Sequence, residues 1–202
     1  DDTLSSGADF RGFSWNEFLR GEEGNDSIVG GHGFDDIHGN QGADTALGGR
    51  GNDWVVGGQH NDLLSGGYHD DIVYGNMGND TLYGDNEPGI FGVEFTGADT
   101  IRGGQGDDSI SGDGGNDLIW GDRGNDTISG GAGADTFAIF SGGGIDRILD
   151  FNAAQGDRVV VENGSPYTVR QVGGDAVVDL GGGDQMILVG VNASSLPAGW
   201  IS

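Results

Sequence analysis

Aspartate recurs every nine residues through the middle of the chain, and its carboxylate is the group here best suited to chemistry. Between Gly21 and Ala138 the sequence repeats the template GGxGxDxUx, in which U is apolar. Carboxylate and carbonyl oxygens are the ligands that hard cations such as Ca²⁺ prefer, so the repeat predicts cation sites. Twelve copies are present, and each has aspartate at its sixth position: Asp26, Asp35, Asp44, Asp53, Asp62, Asp71, Asp80, Asp99, Asp108, Asp117, Asp126 and Asp135.

The overall charge of the chain agrees with a cationic ligand. The sequence has 33 acidic and 8 basic residues, and its formal net charge is -25. Such a charge repels nucleic acid and anionic membranes, and no apolar stretch approaches the length of a transmembrane segment. Because cysteine is absent from the sequence, a bound metal would be held by oxygen. We therefore expect neither a nucleic-acid partner nor a transmembrane segment.

The residues between the aspartates predict the elements that position them. Glycine permits the positive φ angles of a tight turn, and the tripeptide xUx forms a short strand. Side chains alternate along a strand, so U points inward. A flexible acidic linker is the alternative, but a linker has no reason to place an apolar residue two positions after each aspartate. The eighth position is Ala46 in one repeat and a larger apolar residue in the others: Ile28, Ile37, Val55, Leu64, Val73, Leu82, Ile101, Ile110, Ile119, Ile128 and Phe137.

Strands this short need stacking, which predicts an all-β solenoid with two repeats in each coil and about six coils. Aspartates two repeats apart then lie above one another and form two ladders. Calcium between adjacent members would neutralise their repulsion, giving about ten internal sites. A degenerate thirteenth unit places Asp146 where it could add a site with Asp126. The odd ladder, from the odd-numbered repeats, contains Asp26, Asp44, Asp62, Asp80, Asp108 and Asp126, and the even ladder contains Asp35, Asp53, Asp71, Asp99, Asp117 and Asp135.

Segments such as Gly121–Ser129, GDRGNDTIS, resemble the nonapeptide of the RTX (repeat-in-toxin, hemolysin-type calcium-binding) family. The resemblance covers residues 21 to 138 and implies a right-handed parallel β-roll with Ca²⁺ as its bound ion. It also implies that backbone carbonyls complete each site. Histidine replaces the fourth-position glycine in two repeats, and we expect strained but occupied sites there. The fourth-position residues whose backbone carbonyls we expect to bind the ion are Gly33, Gly42, Gly51, Gly106, Gly124, Gly133, His60 and His69.

Catalytic motifs are absent from the sequence: it has no HExxH, no GxSxG and no cysteine nucleophile, so we do not expect an enzyme. The four histidines could suggest a transition-metal site, since imidazole binds zinc or copper. Their positions within the repeat differ, which favours solvated positions instead. The histidines are His32, His38, His60 and His69.

The two ends of the chain depart from the repeat, and an open solenoid end needs covering. Residues 1–20 are rich in aromatic side chains, among them Phe10, Phe13, Trp15 and Phe18. They predict an N-terminal aromatic cap with a short helix or hook over 10–20; a linker from an upstream domain is the alternative. Residues 139–202 predict a small C-terminal β cap with strands over 167–172, 175–180 and 185–191. The segment 184–202 resembles the C-terminal region of RTX proteins exported by type I secretion.

An apolar stripe on the even-numbered repeats is not required by the template. Their outward seventh and ninth positions carry Trp54 and Val56, Ile72 and Tyr74, and Leu118 and Trp120. The eighth repeat interrupts this stripe and also carries an insertion over 87–96, with Ile90, Phe91, Val93 and Phe95. The insertion could fold back across Thr100 between Tyr74 and Trp120. Alternatively, the stripe could contact another copy, a surface layer or a partner domain.

Two functions follow from these observations. The first is a non-catalytic module that folds on binding calcium outside the cell and serves as a structural, secretion or surface-assembly domain. The resemblance makes the type I secretion apparatus of a Gram-negative bacterium its partner and implies an extracellular or cell-surface location. The alternative is the calcium-binding tail of a secreted hydrolase, a protease or lipase, whose catalytic domain is absent. Ice binding is disfavoured because the outward residues form no regular Thr or Asn array.

Overall fold

The computed structural model describes residues 1–5, 16–85 and 96–202. Within these ranges the regular structure is almost entirely β, with two short 3-10 helices at Glu162–Gly164 and Ala193–Ser195. None of the helical segments in the described ranges has the length and hydrophobicity needed to cross a membrane. The strands are β1 (Thr3–Ser5), β2 (Glu17–Glu23), β3 (Ser27–His32), β4 (Asp35–Gln41), β5 (Thr45–Arg50), β6 (Trp54–Gln59), β7 (Leu63–Tyr68), β8 (Ile72–Met77), β9 (Thr81–Tyr83), β10 (Thr100–Gln105), β11 (Ser109–Ser111), β12 (Leu118–Arg123), β13 (Thr127–Ser129), β14 (Thr136–Ile139), β15 (Ile145–Ile148), β16 (Arg158–Val161), β17 (Thr168–Val172), β18 (Asp175–Gly181) and β19 (Asp184–Leu188).

The strands form two sheets, and successive strands alternate between them through the repeats. The odd sheet contains β1, β3 and so on to β15, and the even sheet contains β2, β4 and so on to β16. Neighbours in each sheet are parallel, and equivalent residues pair, as in Ile28 with Ala46 and Ala46 with Leu64. The chain is therefore a parallel β-solenoid, which confirms the predicted all-β fold class.

One apolar side chain from each repeat fills the space between the sheets. All eighth-position residues are buried, and most are completely inaccessible, including Ile37, Leu64 and Ile119. Ala46, the smallest of them, is 2% exposed and occupies the same layer. The strand alternation predicted from the sequence thus places a single-file core along the axis of the roll.

Close packing of the turns explains why glycine is needed at the fourth position. Gly42 has φ 135°, a conformation that disfavours other residues. A methyl group on its Cα would lie 1.6 Å from the carbonyl oxygen of Gly24 in the preceding coil. The backbones of adjacent turns are therefore in direct contact.

The solenoid has about eight turns rather than the six expected, because residues on both sides of the repeats continue it. At the N-terminal side, β1 pairs with β3 and β2 pairs with β4. The expected helix or hook over 10–20 lies outside the described residues as far as Trp15, and its last residues, from Glu17, lie in β2 instead. This strand satisfies the backbone groups at the edge of β4, which a helix could not pair. At the other side, β15 and β16 add a further turn.

The C-terminal residues form an antiparallel unit on the end of the odd sheet. Strands β17, β18 and β19 pair in order, and β19 also runs parallel to β15. Their bounds lie within three residues of the predicted strands. Trp200 contacts Phe151 edge to face at 5.9 Å between ring centroids, and Phe151 contacts Phe137 of the last repeat. The end of the chain therefore packs against the final turns of the core.

Candidate metal centre

The two predicted aspartate ladders are present, and backbone hydrogen bonds hold their members in place. In each pair the backbone N–H of one aspartate donates to Oδ1 of the aspartate one coil later. The Asp26–Asp44 bond, for example, measures 2.8 Å. The ten bonds within the two ladders measure 2.7 to 3.0 Å. Each carboxylate is thereby fixed by one of its two oxygens.

The second oxygen of every ladder aspartate is buried and without a hydrogen-bond donor. Across the described residues, Oδ2 is unpartnered in all twelve repeat aspartates, whose exposure is 3% or less. A buried carboxylate oxygen without a partner is costly, and a bound cation removes that cost. The ladder therefore leaves one uncompensated oxygen in each repeat.

These oxygens lie close to backbone carbonyls, which is the donor set that calcium requires. A methyl group on Gly39 would lie 2.2 Å from Oδ2 of Asp44 and 2.8 Å from the carbonyl oxygen of Gly57. Gly75 stands in the same relation to Asp80 and Gly103. No group of three or more Asp, Glu, His or Cys side chains that could hold a metal is found in the described ranges. An ion here would combine one or two carboxylates with several carbonyls, which fits Ca²⁺.

Burial shifts the ionisation of the ladder in the absence of a cation. Burial, with a smaller contribution from neighbouring carboxylates, raises the pKa of Asp71 to about 9, although the hydrogen bond from Asp53 N–H partly offsets the rise. Burial likewise raises the pKa of Asp108 and of Asp117 to about 8. Near the end of the ladder, the pKa of Asp135 rises to about 6. The metal-free fold would therefore hold protons on its ladders at neutral pH.

The ladders also continue beyond the repeats. Asp126 N–H donates to Oδ1 of Asp146 at 3.3 Å, as the degenerate thirteenth unit predicted. Asp135 N–H donates to Oδ1 of Asp157 at 3.1 Å, and this contact was missed because the two residues are 22 apart rather than 18. The second oxygen of Asp157 accepts from Asn152 N–H at 2.8 Å. Asp157 therefore ends its ladder through hydrogen bonds at both oxygens.

The histidine-substituted turns keep the close contact between stacked coils, although their φ angles are smaller than that of Gly42, 135°. His60 and His69 have φ of 80° and 79°. A methyl group on Gly78 would lie 2.0 Å from the carbonyl oxygen of His60, and a methyl group on Gly42 would lie similarly close to the carbonyl oxygen of Gly24. Their carbonyl oxygens therefore lie against the turn of the following coil, as those of the fourth-position glycines do. In the described residues the four histidines do not converge on a metal site.

The predicted even-sheet stripe is exposed only in part, and Val56 departs from the prediction because it is buried. Trp54 and Ile72 are each 38% exposed. Trp120 is partly covered by its own neighbours, since the Arg102 guanidinium lies 5.0 Å from its ring centroid. Phe18, predicted to be part of the N-terminal cap, is 72% exposed and pairs with Asp36, which in turn pairs with Trp54. Ile90, Phe91, Val93 and Phe95 lie outside the described residues.

Comparisons with known proteins place these features in a family. The sequence model of the RTX calcium-binding nonapeptide repeat, in four copies, matches residues 12–46, 38–68, 47–82, 95–128 and 117–148. The extracellular lipase LipA of Serratia marcescens is similar, with 20% identity, a TM-score of 0.39, and coverage of 94% of this chain and 40% of the lipase. A subunit of the Azotobacter vinelandii mannuronan C5-epimerase has 26% identity, a TM-score of 0.41, and coverage of 71% of this chain and 78% of the subunit. This chain thus spans less than half of the lipase, and no curated protein matches it. With its ladders and its matched repeats, the chain belongs to the family of RTX calcium-binding nonapeptide repeat proteins.

Proposed function

We propose that this chain is a secreted, non-catalytic module whose folding is switched on by calcium outside the cell. The observation that carries the proposal is the row of twelve buried, unpartnered Oδ2 atoms. In the RTX family these repeats bind Ca²⁺. Ions along the ladders would supply the positive charge that the buried carboxylates lack.

The spacing of the ladders sets the number of ions. Each ladder has six repeat aspartates, and an ion between adjacent members gives about ten ions in all. One carboxylate oxygen from each neighbour would combine with the stacked carbonyls of the turns, including those of His60 and His69. Asp146 would extend the odd ladder by a further site.

Folding should depend on these ions because little else stabilises the roll. The core is a single file of side chains, and the net charge of -25 opposes compaction. Sites of the extracellular type, with dissociation constants of about 10⁻⁴ to 10⁻³ M, would be empty in the cytoplasm and filled outside. Export through a type I secretion apparatus, suggested by the C-terminal sequence, requires an unfolded chain of this kind.

A calcium titration followed by far-UV circular dichroism tests the proposal. We expect a largely disordered chain in chelator and a cooperative gain of β structure as Ca²⁺ is added. Mg²⁺ is the control, since it demands octahedral geometry and loses its water reluctantly. A chain that is folded in chelator, with a spectrum unchanged by calcium, would refute calcium-coupled folding.

The exposed part of the even-sheet stripe supports a second proposed role, contact with another copy of the chain. Phe18, Trp54 and Ile72 present apolar area that the described residues leave uncovered. Replacing Trp54 and Ile72 by serine should reduce the oligomeric mass measured by light scattering in calcium. Leu63→Ser and Tyr83→Ser, on the outer face of the odd sheet, are the control. An unchanged mass in the stripe variant would remove the interface.

A further inference from the structure

Two aspartates lie at turn positions where the repeat template has glycine. Asp85 and Asp113 occupy the second position of the eighth and tenth repeats. Neither belongs to the aspartate ladders. Both lie on turns that lead from the odd sheet to the even sheet, and these two turns are one coil apart. The other repeats on this side have glycine at the same position: Gly31, Gly49, Gly67 and Gly131.

Hydrogen bonds bring the two turns into direct contact. Gly84 N–H donates to the carbonyl oxygen of Ser111 at 2.9 Å. Oδ2 of Asp85 accepts from Gly97 N–H at 3.1 Å and from Gly114 N–H at 3.2 Å. Since Gly114 directly follows Asp113, the Asp85 carboxylate spans from its own turn to the turn that carries Asp113.

Within the part of the chain that the structure describes, each of the two carboxylates keeps one buried oxygen without a hydrogen-bond partner. Asp85 is completely buried, and its Oδ1 accepts no hydrogen bond from the described residues. Asp113 uses Oδ1 to accept from the Ser111 hydroxyl at 2.7 Å, which leaves its buried Oδ2 unpartnered. Two such oxygens on adjacent turns lack a compensating positive charge, as a pair of ladder aspartates does.

Among the described residues, the charged groups that act on Asp85 are carboxylates and not basic side chains. Burial, with a smaller contribution from the carboxylates of Asp113 and Asp70, raises the pKa of Asp85 to about 6, although the two backbone hydrogen bonds lower it. Asp122, at the second position of the eleventh repeat, differs in this respect. Its carboxylate accepts from Arg102 Nε at 2.9 Å and is neutralised by that guanidinium.

The backbone conformation of Asp113 is one that favours glycine over aspartate. Its φ is 69°, a conformation in which glycine would be relaxed and aspartate is strained. Asp113 therefore does not improve the turn, and its carboxylate must be explained by what it contacts.

We propose that Asp85 and Asp113 form an additional calcium site beside the even ladder, with one carboxylate oxygen from each and backbone carbonyls of the stacked turns. This inference rests on the calcium-binding function proposed above, but the site uses none of the ladder carboxylates. Oxygen-only ligation with two carboxylates suits Ca²⁺ better than a transition metal.

Native mass spectrometry of the folded protein in calcium counts the ions and tests the site. We expect Asp85→Asn and Asp113→Gly each to bind one ion fewer than the unmodified chain. Asparagine keeps an acceptor for Gly97 and Gly114, and glycine is the residue that the same-side turns use. Asp122→Asn is the matched control, because its carboxylate is already paired with Arg102, and it should lose no ion.

The outcomes separate the site from the proposed function. If the unmodified chain folds on calcium but both variants bind as many ions as it does, the additional site is wrong and the ladders stand. If the unmodified chain binds no calcium, the proposed function itself fails. Circular dichroism in calcium checks that each variant is folded. Should Asp85→Asn not fold, Asp113→Gly decides, and a retained ion count in that variant overturns the site.

Discussion

Replacing Asp71 by asparagine should have opposite effects with and without calcium. Asp71 lies in the middle of the even ladder, with Asp53 one coil before it and Asp99 one coil after it. It would therefore share two ions. Asparagine keeps an acceptor for the Asp53 N–H but removes the charge and the second carboxylate oxygen. The substitution thus isolates the contribution of the carboxylate from that of the turn.

The expected loss in calcium follows from binding linkage. An ion with a dissociation constant of about 10⁻⁴ to 10⁻³ M contributes roughly 1.4 to 2.7 kcal/mol at about 10 mM free Ca²⁺. Losing two ions should therefore lower the free energy of unfolding by about 3 to 5 kcal/mol. The slope of that free energy against the logarithm of calcium concentration should also fall, by about two ions.

The sign reverses in chelator, because the metal-free fold carries the cost of burying Asp71. Its pKa is raised from 3.8 to about 9 in the fold, so ionisation favours the unfolded chain at every pH above 3.8. Protonating the folded state at pH 7 costs about 4 kcal/mol relative to an unshifted group, and asparagine removes this cost. Because asparagine does not carry this cost, the variant should retain more residual β structure in chelator than the unmodified chain does.

Urea unfolding at several calcium concentrations, followed by circular dichroism, measures both effects. Asp70→Asn is the matched control, since Asp70 is the exposed neighbour and uses Oδ1 only to accept from Ala98 N–H. It should leave the slope unchanged. An Asp71→Asn variant with the stability and calcium slope of the unmodified chain would show that this carboxylate holds no ion.

Three further predictions concern pH, the turns and the core. In chelator, β structure should increase as the pH is lowered from about 9 to 4. The raised pKa of Asp71, Asp108 and Asp117 makes the metal-free fold most stable below pH 3.8, and this stability is lost as the pH rises to about 8 to 9. Circular dichroism that shows β structure lost on acidification would contradict this prediction. Gly42→Ala should destabilise the calcium-bound fold by more than about 2 kcal/mol in urea unfolding, since the added methyl group would clash with the Gly24 carbonyl. Gly174→Ala is the control and should be close to neutral, because no atom lies within 4 Å of its new methyl group. Ile119→Ala should lower the free energy of unfolding by about 2 to 5 kcal/mol in the same assay. Val169→Ala, on an exposed strand, is the control and should have a small effect. Equal effects of the two substitutions would argue against a core built from the eighth-position side chains.

Most of the roll follows from the period of nine, and the exceptions have physical reasons. Asp26 and Asp44 could be paired from the sequence because eighteen residues separate them and each is followed by an inward apolar residue. Asp157 could not, since the chain between it and Asp135 is longer than one coil and returns to register only through packing. Strand β2 was missed because its aromatic-rich sequence lacks the glycine turn, although it pairs with β4 in the same register as a repeat. Asp85 and Asp113 read as ordinary variation at a glycine position, and only their buried oxygens distinguish them.

The bonds that bridge the eighth repeat have a consequence for engineering. One insertion of ten residues lies both between Asp71 and Asp99 and between Asp80 and Asp108, so each of these pairs is separated by 28 residues rather than 18. The two ladder bonds nevertheless measure 2.8 and 2.7 Å, as they do elsewhere. Lengthening a turn at this point therefore leaves the register of the coils intact, because closing a longer loop adds little entropy cost. The corresponding point of another coil, after the third residue of a repeat, should accept a foreign peptide and display it beside the roll.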